Sequence, residues 1–181
     1  QTLESEHILV ATGCKTREFP DLPFNGLSVV GSSEAMVMEN QPKDIIIIGA
    51  GAIGVEFAYF FNAFGTKVTI VEMMPNILPV EDHEVSVELE KSFKKSGIEI
   101  LSSTKVVGTK DLGNGVEITI QEEGSDPRTL SSEVALIAIG VAPVLPADFE
   151  IDLDRGYIVI DDNYQTSAPG VYAVGDIIGP P

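Results

Sequence analysis

The chain has 181 residues, of which 44% are hydrophobic, so it is long and apolar enough to bury a core and is not a disordered segment. Acidic side chains outnumber basic ones by 28 to 11, and the formal net charge of −17 argues against nucleic acid or anionic membrane as a partner. No apolar run approaches the roughly 20 residues that span a bilayer, so no membrane segment is expected.

The cysteine and histidine content argues against a disulfide-stabilised or metal-binding protein. Cys14 is the single cysteine, so an internal disulfide is impossible and a reducing, cytoplasmic location is the simplest expectation. His7 and His83 lack the spacing of metal ligands, so no metal site is expected. The start is polar and acidic, without a signal peptide or an initiator Met, which suggests a piece of a longer protein.

The first 40 residues predict two short strands and a short helix. Ile8–Val10 reads as a buried strand that runs into a turn at Gly13, and a loop with two prolines follows. A second strand is predicted over Leu27–Val30. A helix is predicted from Ser33 to Glu39, because it must end before Pro42.

The stretch from Asp44 to Glu72 carries the strongest signal. Ile45–Ile48 is a continuous β-branched run, typical of a strand buried on both faces of a parallel sheet. Glycines follow at positions 49, 51 and 54, and a helix then ends at Gly65 and is followed by a strand over Lys67–Val71. The predicted apolar face of that helix consists of Ile53, Phe57, Phe60, Phe61 and Phe64.

This strand, glycine turn and helix predict a dinucleotide site. Gly49 would make the tight turn, Gly51 would let a pyrophosphate approach the backbone, and Gly54 would let the helix pack on the strand. Glu72 lies eighteen residues after Gly54, near the separation of about 20 expected for an acid that binds ribose hydroxyls. No lysine or arginine occurs from residue 73 to 80, so NAD is predicted over NADP, whereas FAD is not excluded. The alternative is a glycine-rich turn without a ligand.

The next elements complete a parallel α/β pattern. A helix over 82–96, capped by Glu81 or Asp82 and buried through Val85, Leu89 and Phe93, precedes a strand over Ile98–Leu101. β-rich segments at 104–110, 116–121 and 128–130 then predict an antiparallel meander in place of a third helix. The fold class is therefore α/β, with a Rossmann-like β-α-β-α-β sheet and a three-stranded meander.

Two later strands end in glycine. Val134–Ile139 is a continuous apolar strand, and its carboxyl end at 138–141 either lines the cofactor or is plain core packing. Residues 141–153 read as irregular, Gly156–Asp161 as a strand, and residues 171–176 as a strand that ends in Gly175 and Asp176.

Three separated motifs carry a family resemblance. They are Ala11-Thr12-Gly13, the glycine fingerprint with Glu72, and Tyr172-Ala173-Val174-Gly175-Asp176. In this order, the chain resembles the flavin-dependent pyridine nucleotide–disulfide oxidoreductases, and within them the dihydrolipoamide dehydrogenase branch. Residues 51–58, 65–69 and 74–79 are similar to the same family. One departure is Gly140-Val141-Ala142-Pro143-Val144, where many members have an arginine after the glycine.

The resemblance implies a split domain organisation. Residues 1–40 would end the first segment of an FAD domain, 41–142 would form the NAD domain, and 143–181 would return to the FAD domain as small flanking β segments. Thr12, Gly13, Gly175 and Asp176 would contact FAD, although two strands pairing without flavin would explain them equally. Glu56, placed about half a turn into the helix, would lie near the nicotinamide or be a solvated acid. NAD would contact Gly49, Ala50, Gly51, Ala52, Ile53, Gly54, Glu72, Val106, Ala138, Ile139 and Gly140.

The resemblance also implies what this chain lacks and what it assembles with. The family's redox cysteine pair, first FAD glycine motif and catalytic His–Glu pair have no match here, so no catalytic residue is predicted and the piece alone would not be an active oxidoreductase. The longer flavoprotein would be a homodimer that serves a 2-oxoacid dehydrogenase complex through its lipoyl domains. The alternatives are another NAD-linked flavin reductase, of the mercuric reductase or soluble transhydrogenase type, and a stand-alone NAD-binding module.

Overall fold

The computed structural model describes residues 3–20, 22–147 and 150–179. The chain divides into two compact units, one formed by the chain up to Lys15 and from Val141 onward, the other by Thr16–Gly140. Residues 16–40 therefore lie in the same unit as Gly49, Gly51 and Gly54. Their assignment to an FAD domain of a longer protein stays a prediction. The elements in chain order are β1 (Ile8–Val10), β2 (Cys14–Thr16), β3 (Val29–Val30), α1 (Ser32–Ala35), β4 (Asp44–Ile48), α2 (Ala52–Ala63), β5 (Lys67–Val71), α3 (His83–Lys95), β6 (Glu99–Leu101), β7 (Thr104–Asp111), β8 (Val116–Glu122), β9 (Arg128–Ser132), β10 (Val134–Ile137), β11 (Val141–Pro143), β12 (Leu153–Asp154), β13 (Tyr157–Ile158), β14 (Val171–Ala173) and a 3-10 helix (Asp176–Ile178).

The larger unit is built on a five-stranded sheet in the order β3-β10-β4-β5-β6, in which every pairing is parallel. β4 lies in the middle, which explains its unbroken apolar run. Ile45 and Ile47 pack into a core with α2 and α3, whereas Ile46 and Ile48 pack into a second core on the opposite face. A strand with apolar layers on both sides has no polar face.

The second layer on that sheet is the predicted meander. β7, β8 and β9 pair antiparallel, and Val116, Ile118 and Ile120 of β8 are fully buried in the same core as Ile46 and Ile48. The meander thus covers the face that the helices leave open. The predicted α/β class with its parallel sheet and antiparallel meander is confirmed.

The helix α2 has the predicted position but a narrower apolar face. It ends at Ala63 and the chain reverses at Gly65, whose φ is +91°. Phe61 is buried, and Ile53 and Phe57 are partly buried, in the core between the sheet and the helices α2 and α3, which we call the helix core. Phe60 and Phe64 are exposed. Their assignment to the buried face was wrong, because the rings at 60 and 64 lie beyond the edge of the stripe that the sheet covers.

The helix α3 shows a similar outcome. Its predicted cap is observed, since the Asp82 side chain accepts a hydrogen bond from the Glu84 N–H at 2.8 Å. Phe93 is buried and Leu89 is partly buried, but Val85 is exposed and Ser86 is buried instead. The Ser86 hydroxyl donates to the carbonyl of Leu78 at 3.2 Å, so a hydrogen bond compensates the burial of this polar side chain.

Several predicted elements are shorter in the structure. The strand over 27–30 keeps only Val29–Val30, because the Asn25 side chain accepts the N–H groups of Leu27, Ser28 and Val29. The helix predicted over 33–39 ends at Ala35, since Met36 and Val37 beyond it are 72% and 76% exposed and bury little apolar surface. The strand predicted over 134–139 ends at Ile137.

The smaller unit holds a two-stranded parallel sheet of β1 and β14, with Val10 aligned with Ala173. The predicted strand is present, but only Val10 in it is buried. Ile8 and Leu9 are exposed, because β1 has β14 as its only strand partner among the described residues. The strand predicted over 156–161 shortens to β13, which pairs antiparallel with β12, since Asp161 begins a turn. β11 pairs with β2. The start of the segment predicted to be irregular, 141–153, is thus a strand, and within the same segment Asp148 and Phe149 lie outside the described residues.

Candidate functional site

The glycine loop, residues 49–54, joins β4 to α2 through two positions where only glycine fits. Gly49 has a φ of +102°, and a Cβ there would lie 2.4 Å from the carbonyl oxygen of Ala138. A Cβ on Gly54 would lie 2.1 Å from the carbonyl oxygen of Gly49. Both distances are far inside van der Waals contact. The tight turn predicted at Gly49 and the close packing predicted at Gly54 are therefore observed.

Gly51 is different from these two glycines. It precedes α2 with φ −71° and ψ −177°, a conformation open to any residue, and no atom beyond its two chain neighbours lies within 4 Å of a Cβ built on it. The first hydrogen bond of α2 runs from the Val55 N–H to the Gly51 carbonyl at 3.1 Å. The N–H groups of residues 52–54 therefore have no intrahelical acceptor, and they form the positive end of the helix dipole. Open space thus lies where the backbone offers donors.

Glu72 follows β5 directly and faces the glycine loop. Its Oε2 accepts the N–H of Ala50 at 2.6 Å, and its Oε1 accepts the N–H of Met74 at 2.7 Å. The residue is 7% exposed. Each carboxylate oxygen has two acceptor positions, so one on each remains after these bonds. The two backbone donors fix the carboxylate in one orientation beside the loop.

The carboxyl end of β10 borders the same loop. The Ala138 N–H donates to the Ile48 carbonyl at 2.8 Å, and Ala138 is buried against Gly49 and Gly54. Ile139 and Gly140 are exposed beyond it, and Gly140 has a φ of +103°. The structure therefore places residues 138–140 beside the glycine loop, at the carboxyl ends of the parallel strands.

Val106 and Glu56 are placed less directly. Val106 is partly buried and packs against the core that contains Ile48 and Val71, the last residues of β4 and β5. Glu56 is exposed and is the fifth residue of α2, so it lies just over one turn from the helix start rather than half a turn. Their roles toward a cofactor stay predictions.

The second predicted group lies in the smaller unit. β1 and β14 end side by side, and the Val174 N–H donates to the Val10 carbonyl at 3.1 Å. Beyond these ends, the Cys14 thiol donates to the Asp176 carbonyl at 3.3 Å. The parallel pairing thus brings together the motifs that contain Thr12, Gly13, Gly175 and Asp176, and in each motif the glycine has a positive φ and the other residue is exposed.

One residue of the glycine-loop surroundings was not anticipated. Leu78 donates its backbone N–H to the Ala50 carbonyl at 2.7 Å, and its φ is +47°. A leucine in the left-handed region is uncommon, and its residue type predicts an ordinary apolar packing role. No sequence pattern signals this contact, because it depends on backbone conformation.

The parallel sheet, the glycine loop and the acid after β5 define an α/β protein of the Rossmann type. The chain belongs to the pyridine nucleotide-disulphide oxidoreductase family, whose sequence pattern matches residues 1–181.

Relatives of known name agree with this assignment. The dihydrolipoyl dehydrogenase of Chlorobaculum tepidum is 40% identical over 181 residues, which cover 98% of this chain and 39% of the relative. That of Mycobacterium tuberculosis is 40% identical over 185 residues, with 99% and 39% covered. That of Bacillus subtilis is 37% identical over 179 residues, with 96% and 38% covered. The chain therefore spans about two fifths of the length of these relatives.

Solved structures share the fold. LpdA from Mycobacterium tuberculosis superposes with a TM-score of 0.85 at 30% identity, over 96% of this chain and 38% of that one. RclA from Escherichia coli, described as an HOCl-induced flavoprotein disulfide reductase, superposes with a TM-score of 0.83 at 29% identity, over 98% and 41%. The chain is thus similar to dihydrolipoyl dehydrogenases and flavoprotein disulfide reductases, and family membership implies FAD and NAD(P) as cofactors.

Proposed function

We propose that the glycine loop and Glu72 bind NAD. The observation that supports this most directly is the buried Glu72 carboxylate, held beside the loop while Gly51 faces open space. The diphosphate would lie over Gly51 and accept hydrogen bonds from the N–H groups at the start of α2. The free acceptor positions of Glu72 would bind the two hydroxyls of the adenosine ribose. Ile139 and Gly140 would line the same crevice.

The charge of the ribose site sets the preferred cofactor. A 2′-phosphate, as in NADP, would be placed against a carboxylate that is 7% exposed and that two N–H donors hold in position. No lysine or arginine between residues 73 and 80 could offset that repulsion. The site therefore selects NAD over NADP.

The longer protein would be a dihydrolipoamide dehydrogenase that reoxidises dihydrolipoamide with NAD, as the names of the relatives suggest. In such a flavoprotein, FAD supplies the hydride chemistry and the protein supplies binding and orientation. Thr12, Gly13, Gly175 and Asp176 would contact FAD, and Glu56 would lie near the nicotinamide. This chain would orient NAD, while a homodimeric, cytoplasmic protein would serve a 2-oxoacid dehydrogenase complex through its lipoyl domains.

Calorimetry on the purified chain tests the cofactor assignment. We expect NAD to bind with a dissociation constant between roughly micromolar and millimolar, and NADP to bind at least about tenfold more weakly. No diaphorase activity is expected from the chain alone. Equal affinity for the two cofactors would remove the role given to Glu72.

The substitution Gly51→Ala provides a matched test of the phosphate position. Its backbone conformation suits alanine and the added methyl meets no protein atom, so folding should be retained. The methyl would instead occupy space assigned to the diphosphate, and NAD should bind at least about tenfold more weakly. Gly54→Ala is the contrast, because its methyl would collide with the Gly49 carbonyl and should lower the melting temperature. Wild-type affinity in Gly51→Ala would contradict the proposal.

A second candidate is another flavin disulfide reductase, favoured by the structural similarity to RclA. The glycine loop would hold NAD in either enzyme, so the difference lies in the reductive substrate. Assays of the full-length protein with dihydrolipoamide and NAD distinguish the two. A stand-alone NAD-binding module is the third possibility, and exposed Ile8 and Leu9 on β1 speak against it, because a self-contained module gains nothing from an uncovered strand.

A further inference from the structure

The two peptide groups on either side of the Ala50 Cα are each held by the segment that follows β5. The Ala50 N–H donates to Glu72 Oε2 at 2.6 Å, and the Ala50 carbonyl accepts the Leu78 N–H at 2.7 Å. Ala50 is completely buried. Both polar groups of the residue between Gly49 and Gly51 are therefore occupied. Rotation of the Gly49–Ala50 peptide would break the bond to Glu72, and rotation of the Ala50–Gly51 peptide would break the bond from Leu78.

Leu78 reaches Ala50 because its own backbone is held in an unusual conformation. Its φ is +47°, a region that residues with a side chain adopt rarely. Its carbonyl accepts the Glu81 N–H at 3.0 Å and the Ser86 hydroxyl at 3.2 Å, and Ser86 is buried in α3. The side chain of Ile77 before it is fully buried. The position of the Leu78 N–H is thus fixed from the core and from α3.

We propose that Leu78 is a positioning residue for the diphosphate of the dinucleotide and acts through its left-handed backbone. Its N–H holds the carbonyl of the Ala50–Gly51 peptide, so that Gly51 and the first N–H groups of α2 face the open space in front of the loop. The inference rests on the proposed function for its ligand, although the contact itself exists without one. Segment 73–78 is thereby part of the phosphate site, in addition to following the acid that contacts the ribose.

Three substitutions separate the backbone conformation of Leu78 from its packing. Leu78→Val keeps an apolar side chain but disfavours a positive φ, because a β-branched residue clashes there. Leu78→Gly and Leu78→Asn tolerate a positive φ but lose the apolar contacts that Leu78 makes with the helix core. We expect Leu78→Val to bind NAD about tenfold more weakly, and the other two to stay within about threefold of wild type.

Arg155→Val is the matched control for backbone strain. Arg155 is exposed, lies in the turn between β12 and β13, and has a φ of +48°. A valine at position 155 therefore meets the same conflict between a β-branched side chain and a positive φ, but away from the glycine loop. We expect NAD affinity in Arg155→Val to equal that of wild type.

Amide hydrogen exchange at Ala50, followed by NMR without cofactor, separates this inference from the proposed function. The Ala50 N–H is bonded to Glu72, and the Leu78 bond to the Ala50 carbonyl restrains the same residue, so losing the Leu78 bond should loosen Ala50. Leu78→Val should therefore speed exchange of the Ala50 N–H at least about tenfold, whereas Leu78→Gly should not. If wild type fails to bind NAD while exchange responds in this way, the cofactor assignment falls and the positioning of the loop by Leu78 stands. The inference is overturned if Leu78→Val leaves exchange and NAD affinity unchanged, or if Leu78→Gly weakens binding as much as Leu78→Val.

Discussion

At the residue scale, Asp111 shows how one carboxylate organises a loop away from the glycine site. Its Oδ1 accepts the Gly113 N–H at 2.8 Å and the Ser28 hydroxyl at 3.1 Å, and its Oδ2 accepts the Asn25 side-chain N–H at 2.7 Å. The bond from Gly113, and then that from Asn25, lower the pKa of Asp111 below its ordinary value. The loop before β3 is thereby tied to the turn after β7.

This lowered pKa predicts an acid-dependent contribution to stability. Because the folded-state pKa lies below the unfolded one, the contribution is complete above the unfolded value of about 3.9 and is lost as the pH falls through the folded value. Denaturant unfolding of wild type and Asp111→Asn should therefore differ at pH 7, and the difference should shrink below about pH 4. A gap that stays constant from pH 7 to pH 3 would show that the charge on Asp111 does not contribute.

At the element scale, α2 combines a buried stripe with an exposed aromatic surface. Phe61 is 4% exposed and lies in the helix core, whereas Phe60 is 50% and Phe64 64% exposed. The ring centroids of Phe60 and Phe64 lie 5.0 Å apart, so these two side chains contact each other on the outer face. Successive residues of a helix are separated by about 100° of rotation, which is enough to take Phe60 from the core to solvent.

Alanine substitutions along α2 should separate these faces. Phe61→Ala removes a buried ring and should lower the free energy of unfolding by about 3–5 kcal/mol. Phe60→Ala removes a half-exposed ring and should lower it by about 1 kcal/mol or less. Urea unfolding of both variants under identical conditions measures the contrast, and similar losses would mean that the outer aromatic face is buried in solution.

At the scale of the whole molecule, the two units differ in how much core they build. The larger unit places a five-stranded sheet between two apolar cores, one shared with helices and one with the meander. Among the described residues, the buried core of the smaller unit consists of five side chains around a two-stranded sheet: Val10, Ile158, Val171, Ala173 and Ile177. None of the helices in the described residues is long and apolar enough to cross a bilayer.

Hydrogen exchange of the intact chain should reflect this difference. Amides of β4, β5 and β10 lie inside a sheet covered on both faces, so they should exchange only on global unfolding of the larger unit. Amides of β1 and β14 should exchange at least about tenfold faster, because few apolar contacts oppose local opening. Mass spectrometry of peptic peptides resolves the two sets. Equal protection of β1 and β4 would contradict the expectation.

Local patterns determined most of the architecture and part of the candidate site. The run Ile45–Ile48 specifies a strand covered on both faces because no position in it tolerates water, and the glycine spacing specifies the turn because the Gly49 and Gly54 positions leave no room for a side chain. The bounds of β5 and the Asp82 cap of α3 follow from equally local chemistry. Family membership also followed from the motifs and their order.

Tertiary structure decided which apolar residues are buried and how the loop is held. Phe60 and Phe64 fit the apolar stripe predicted for α2, and Val85 fits that of α3. The sheet covers only part of each stripe, so the packing of the helix on the sheet, and not hydrophobicity, sets their exposure. Glu72 could be expected to face the glycines, but its bonds to Ala50 and Met74, and the Leu78 bond to Ala50, depend on backbone paths from three separate segments. Hydrogen bonds of this kind follow from where the fold places the chain, which residue types alone do not specify.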